Sequence, residues 1–362
     1  MDKSQINQYR PDKGSHPGAT LKDLLEERNL TQVELATRMG RPQKTISEIV
    51  SGKAAITPET ALELEMVLGV PARFWNTREQ HYREFLARQQ KDTSYAEHYT
   101  WASNFPLKEM AKLGLVQKVK EPSEQVRYVL QYLGVNSPDQ WTSVYDQCEV
   151  SFRKSSAFEA DQYALGAWLR AGVVEAQAVK LGNYKKSKFL NALECARGLT
   201  NDEPPVFQHE LKARCAEAGV AVAFIPQLPR SLVSGATRWL SPHHALIQLS
   251  LRYKTNDHLW FTFFHEAAHV LLHGKKSIFL DTGKNDGEEE QEANTWAANF
   301  LIPKHEYELF TSNSLFTATR IVEFAKELKI APGIVVGRLQ HDKLLPFNRC
   351  NDLKIKFEWS KG

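Results

Sequence analysis

Cysteine is scarce. Four occur in 362 residues, Cys148, Cys195, Cys215 and Cys350, and no two form a C-x-x-C pair. This argues against a disulfide scaffold and predicts a reducing, cytoplasmic setting. No apolar run approaches the length of a membrane span. The first residues, M-D-K-S-Q-I-N-Q-Y-R, lack the apolar core of a signal peptide, so neither a membrane nor an export route is expected. Neither sign of charge dominates: 46 Lys and Arg against 43 Asp and Glu leave a formal +3. That balance permits nucleic-acid contact without requiring it. There is no internal repeat and no extended low-complexity tract. What remains is an ordinary globular composition, 42% hydrophobic and 25% charged, long enough for two to three domains.

The sharpest chemical signal is W-F-T-F-F-H-E-A-A-H-V-L-L, residues 260–272. It contains H-E-x-x-H as His265, Glu266 and His269. On a helix, positions i and i+4 share a face, so both imidazoles can reach one metal ion. Glu266, one residue past the first histidine, is placed to act as general base on a metal-activated water. The flanking residues are apolar. Two histidines on a buried helix are costly unless they are paired or ligated.

The segment before it reads as a chain of short helices. Leu21, Leu24 and Leu25 form one apolar stripe, and Asn29 ends that helix. Thr31 with Glu34 spells a capping box for a second helix over 32–39, with Val33, Leu35 and Ala36 facing inward in part. Gly40 suits the turn beyond it. A third helix runs from about Pro42 to Val50, and Thr57-Pro58-Glu59 starts a fourth. Short helix, glycine turn, short helix is the helix-turn-helix pattern. Its second member would enter the major groove, with Gln43, Lys44 and Ser47 exposed. Gln43 and Lys44 can offer donors to base edges, while Gln32, Arg41 and Lys53 suit phosphates.

The run from His16 to Glu65, H-P-G-A-T-L-K-D-L-L-E-E-R-N-L-T-Q-V-E-L-A-T-R-M-G-R-P-Q-K-T-I-S-E-I-V-S-G-K-A-A-I-T-P-E-T-A-L-E-L-E, resembles the helix-turn-helix domain of HigA-type antitoxins in the wider Xre/Cro class. V-P-A-R-F-W, ending at Trp75, resembles the close of that domain. The resemblance implies a homodimer that binds double-stranded operator DNA at its own promoter and pairs with a toxin encoded nearby. It also implies DNA contacts from Gln32, Thr45 and Ser47.

From Glu79 to Lys91 the chain is charged and helical, with Tyr82, Phe85 and Leu86 on one face. Helical patterns follow over 102–112 (with Pro106 inside) and 123–133, and a short element begins at Ser137. Two more, Tyr163 to Arg170 and Val174 to Lys180, are predicted to be broken by Gly172, and another covers 189–197. W-L-R-A-G-V-V-E-A-Q-A resembles the region upstream of the catalytic domain in large fusions of this type.

A helix over 206–218 leads into three strand patterns, V-A-V-A-F-I-P, residues 234–240 and residues 245–251. They place a small sheet directly before the metal helix, where an edge strand can pair with an extended peptide. Two histidines leave zinc short of a third protein ligand. The helix E-E-E-Q-E-A-N-T-W-A-A-N-F-L-I-P, 288–303, offers Glu290, with Glu292 and, elsewhere, His273 as weaker alternatives. Glu290 and Asn294 lie at i and i+4, so Asn294 can hold a ligating histidine by its other nitrogen. The remaining glutamates suit a solvated helix N-terminus. Residues 281–289 suggest a loop covering the site.

F-T-F-F-H-E-A-A-H-V-L-L-H and E-Q-E-A-N-T-W-A-A-N-F-L-I-P resemble the ImmA/IrrE zinc metallopeptidases, as does F-A-K-E-L-K-I-A-P-G-I-V-V-G-R-L-Q farther on. The family's E-x-x-A-N pattern supplies the third ligand, which falls on Glu290. Its members usually carry A-H-E-x-x-H; Phe264 stands here instead. The resemblance implies cleavage of a regulatory protein. Candidate donors to the oxyanion are His243, His244, His273, His305 and Tyr307, and the sequence does not choose among them.

The fold class expected is multidomain: an all-α helix-turn-helix domain, a mostly helical middle region and an α+β zincin-like metallopeptidase domain. The expected boundaries are a flexible lead at 1–16, the DNA-binding domain at 17–90, the middle region at 91–200, the peptidase domain at 201–345 and a tail at 346–362. The expected function is a transcriptional regulator with a Zn²⁺-dependent endopeptidase that hydrolyses a regulatory protein. The alternative is an antitoxin-like autorepressor that neutralises a partner toxin, the metal domain serving as sensor or scaffold.

Overall fold

The computed structural model describes residues 14–152 (backbone alone from 146), 161–274, 278–281, 287–313 and 315–359. The chain divides into two compact units. One runs to Glu97 and includes Pro122–Glu124; the other holds the remainder. No helix among the described residues is long and apolar enough to cross a membrane.

The first unit is all helical: α1 (Pro17–Glu27), α2 (Gln32–Met39), α3 (Gln43–Val50), α4 (Pro58–Leu68) and α5 (Ala72–Glu97). Local signals explain its boundaries. Thr31 and Glu34 form the reciprocal capping box at α2. Gly40, at φ 65°, takes the left-handed turn that follows. Thr57 caps α4 through Thr60 N–H, with Pro58 in the first turn. Leu21, Leu35, Ile46, Ile49, Leu64 and Trp75 make a dry core. Val33 departs from its expected inward place and is 52% exposed, because α2 turns Leu35, Ala36 and, in part, Met39 to the core instead.

In the second unit, α6 (Tyr99–Ala102) and α7 (Leu107–Lys112) replace the single expected helix, since Phe105-Pro106 interrupts it. Then come α8 (Pro122–Leu133, begun at the residues grouped with the first unit) and α9 (Pro138–Phe152), the latter longer than a short element. α10 (Gln162–Gln177) is continuous through Gly172, against expectation. A Cβ at Gly172 would lie 2.0 Å from Gln248 Oε1, so this glycine serves close helix–sheet packing and does not break the helix. α11 (Lys186–Gly198) and α12 (Pro204–Glu217) lead to the sheet.

The sheet has four strands in the order β1 (Val220–Phe224), β3 (His244–Leu249), β2 (Gly235–Ser241), β4 (Ile278–Asp281). β1 is parallel to β3, and the other pairs are antiparallel. β4 was not expected. It follows α13 (Asn256–Leu272) in the chain and ends at Asp281, the first residue of the stretch read as a cover; residues 282–286 of that stretch lie outside the described residues. α13 packs against β2, β3 and β4 and against the helices α14 (Glu288–Leu301) and α17 (Pro332–His341), with α15 (Lys304–Thr311) and α16 (Ala318–Leu328) between those two in the chain. It is buried on nearly every side, as its apolar composition requires. The C-terminal residues dock on its start: Asn256 Oδ1 accepts from Ile355 N–H, and Lys354 pairs with Asp257 at 2.6 Å. Phe264, in place of the usual alanine, is fully buried against Phe263 and Phe300, so the change is absorbed in the α13–α14 core.

Candidate metal centre and DNA-binding face

One helical turn brings His265 and His269 to the same side of α13, and the crossing of α14 brings Glu290 to them. Their Nε2 atoms stand 3.0 Å apart. Glu290 Oε2 is 3.1 Å from His265 Nε2 and 3.6 Å from His269 Nε2. A tetrahedral ion with bonds of about 2.0–2.1 Å places its ligand atoms about 3.3 Å from one another. The three atoms therefore already outline one face of such a tetrahedron. Among the described residues they form the one group of three potential ligands close enough to share an ion. The cluster can hold a divalent metal.

The proton arrangement agrees. His265 Nδ1 lies 2.9 Å from Asn294 Oδ1, an acceptor, so Nδ1 carries the hydrogen and Nε2 presents its lone pair. Without a cation, two lone pairs facing each other at this distance need a proton between them. Burial disfavours charge on His265, but Glu290, with Asp281 and Glu266 near it, overrides this and lifts its pKa to about 9. Burial and the neighbouring His265 charge lower His269 to about 4, against the pull of Glu290. Burial alone would raise Glu290; the two histidines facing it, His265 charged, hold it well below the usual carboxylate range. A metal ion would take the place of the shared proton.

Glu266 is fully buried, and neither carboxylate oxygen has a hydrogen-bond partner. Burial raises its pKa well above the ordinary value, opposed by His265. β2 is shaped around it. A Cβ at Gly235 would lie 2.6 Å from Glu266 Oε1, and Thr237 donates to the Glu266 carbonyl at 3.0 Å. An orphaned buried carboxylate is costly, and a water held at the adjacent metal position would satisfy it.

Glu292 stands apart from the cluster and meets His273 Nε2 at 3.2 Å. His273 sits behind His269, Nδ1 to Nδ1 at 2.8 Å, on the side away from the convergent Nε2 atoms. Among the oxyanion candidates, Tyr307 instead donates to Asp342 at 2.8 Å, His243 lies exposed in the β2–β3 turn, His244 begins β3, and His305 is exposed on α15. Phe279 of β4, stacked on His269 at 4.1 Å and 14°, was missed. The apolar triplet Ile278-Phe279-Leu280 was its available signal.

In the first unit, Gln43, Lys44, Ser47 and Lys53 are exposed, and Gln32 and Thr45 are partly so. Arg41 is engaged by Glu63 through two hydrogen bonds, at 2.8 and 3.0 Å, so its charge is balanced locally.

The comparisons fall on these two regions. The helix-turn-helix family matches residues 21–75, and the IrrE N-terminal-like domain matches residues 215–340. The chain thus joins an Xre/Cro-like helix-turn-helix domain to an IrrE/ImmA-like peptidase domain. Among curated proteins, an HTH-type transcriptional regulator of Escherichia coli, YddM, is 37% identical over 59 residues, 16% of this chain and 63% of that protein. Virulence-associated protein A of Dichelobacter nodosus is 42% identical over 62 residues, 17% of this chain and 61% of that one. The chain thus spans about three fifths of the length of these relatives. A solved structure, an addiction module antidote protein of a HigA family from Coxiella burnetii, shares 24% identity over 24% of this chain and 94% of its own, with a TM-score of 0.22.

Proposed function

We propose that this protein is a DNA-binding regulator, acting as a dimer on operator DNA, whose second unit is a zinc-dependent endopeptidase for a regulatory protein. The observation that carries the hydrolytic reading is Glu266: a buried, unpartnered carboxylate held by β2 beside a His265–His269–Glu290 cluster of tetrahedral spacing. A zinc ion there supplies Lewis acidity, polarising a scissile carbonyl and acidifying water. His265, His269 and Glu290 hold it, and Asn294 orients His265. Glu266 takes the proton of the attacking water and passes it to the leaving amine, and burial gives it the proton affinity that this transfer needs. The exposed face of α3 carries Gln43, Lys44 and Ser47 toward base edges.

A second reading has its own support. β4, the strand beside the metal ligands, already has α9 packed against it. The curated relatives, one of them an HTH-type transcriptional regulator, match only 59 and 62 residues of the chain. In that reading the protein is an antitoxin-like autorepressor that neutralises a toxin from an adjacent gene, and the metal domain is a sensor or scaffold. One experiment separates the two. The zinc-loaded protein and its Glu266→Gln variant are each incubated with the product of the adjacent gene. Cleavage by the parent alone establishes the peptidase. A stable complex with both, and no cleavage, establishes the antitoxin.

A further inference from the structure

We infer that His273, backed by Glu292, is the positioning residue for the metal ligand His269. The inference rests on the zinc reading above and extends it to a residue outside the ligand set.

His273 closes α13 one turn beyond His269. Its Nδ1 is 2.8 Å from His269 Nδ1, and its Nε2 is 3.2 Å from Glu292 Oε2. Its side chain is only 5% exposed, whereas Glu292 reaches solvent. Phe279 of β4 lies against both rings, 4.1 Å from His269 and 5.2 Å from His273 between centroids. Hydrogen placement then follows from the chemistry. His269 must offer an Nε2 lone pair to the ion, so its hydrogen is on Nδ1. That hydrogen points at His273 Nδ1, which must therefore accept. The hydrogen of His273 is then on Nε2, where the Glu292 carboxylate accepts it. One pair of tautomers satisfies every member of the chain, and it is the pair that frees His269 for the metal. His265 is held by Asn294 in the same way, so each ligating histidine has its own acceptor from outside the cluster. Between them these acceptors keep both Nε2 atoms convergent before an ion arrives.

The test is zinc affinity and dissociation rate, by competition with a chromophoric chelator, on the full chain and three variants. His273→Leu fills the space without an acceptor. His273→Asn returns an amide oxygen near the Nδ1 position. Glu292→Gln keeps an acceptor for Nε2. Far-UV circular dichroism and melting of the metal-free proteins verify the fold. The expected result is a loss of about 10- to 100-fold in affinity for His273→Leu, recovery to within about threefold for His273→Asn, and a change of about threefold or less for Glu292→Gln. The Co²⁺-loaded protein should show an altered visible ligand-field spectrum with leucine and a parental one with asparagine, which a filler role for the ring would not produce. Equal affinity in the leucine and parental proteins, or equal loss with leucine and asparagine, overturns the positioning role and leaves the zinc reading standing. A parental protein that binds no zinc overturns both.

Discussion

In the first unit the candidate chemistry lies on the outside. Lys44 is 84% exposed, and Gln43 and Ser47 stand free on α3. In the second unit it lies inside: Glu266 and His269 are buried, and Glu290 is covered on all but a small part. The difference follows from the tasks proposed for each. Groove reading needs donors that reach out of a rigid small helix, and the core beneath need only hold that helix still. A hydrolytic centre needs charges held at low dielectric, so the fold must bury groups that resist burial and then compensate them. Exposed chemistry is cheap to position and screened by salt; buried chemistry is costly to position and strong.

Four substitutions and a pH series would break or sharpen that contrast. Glu266→Gln should keep one zinc per chain and lower kcat/KM by about 10³-fold, since it removes the base without altering the ligands. A variant that cleaves at the parental rate would refute the mechanism. Next comes pH. His265, lifted to about 9, is protonated in the metal-free protein at neutral pH, and zinc must expel that proton. Affinity should therefore rise with pH, about 30-fold from pH 6.5 to 8, and level off above 9. A flat profile by chelator competition would show that the buried pair holds no proton. Gln43→Ala should weaken operator binding by about 1–3 kcal/mol and relax preference at one base position, measured by DNA titration, while zinc affinity stays unchanged. Loss of zinc on this substitution would mean that the two functions are not separable. Gly235→Ala sets a methyl group 2.6 Å from Glu266 Oε1 and from Thr262 Cγ2, and should cost about 1–3 kcal/mol in the second unit with loss of hydrolysis. The smallest effect expected is Thr31→Ala. Loss of the α2 cap should cost about 1 kcal/mol, seen in the melting of the first unit, with the metal centre untouched.

The units also differ in how far they could be read from the residues in order. Thr31 and Glu34, Gly40, and Thr57-Pro58 set helix ends through bonds spanning three or four residues, so α2, α3 and α4 were legible to within a residue or so at each end. At Phe105-Pro106 the local meaning of proline held and was underweighted, whereas Gly172 was misread because a glycine has a local meaning and a packing meaning, and only the neighbours decide between them. At Gly172 the neighbour is Gln248, 76 positions away in the chain.

The spacing of His265, Glu266 and His269 was sufficient by itself to put two imidazoles on one side of a helix, because i and i+4 share a face whatever surrounds them. Composition and short-range pattern likewise placed a helical first unit ahead of an α+β region. The register with Asn294 favoured Glu290 over Glu292, but only tertiary structure brings Glu290 to the histidines and sets Glu292 on His273, since that depends on how α14 crosses α13. It also decided that β4 follows the metal helix and lays Phe279 on His269, and that Gly235 leaves room for the Glu266 carboxylate. Each of these contacts joins residues set by packing and not by helical phase, and phase is all that a short stretch of chain can encode.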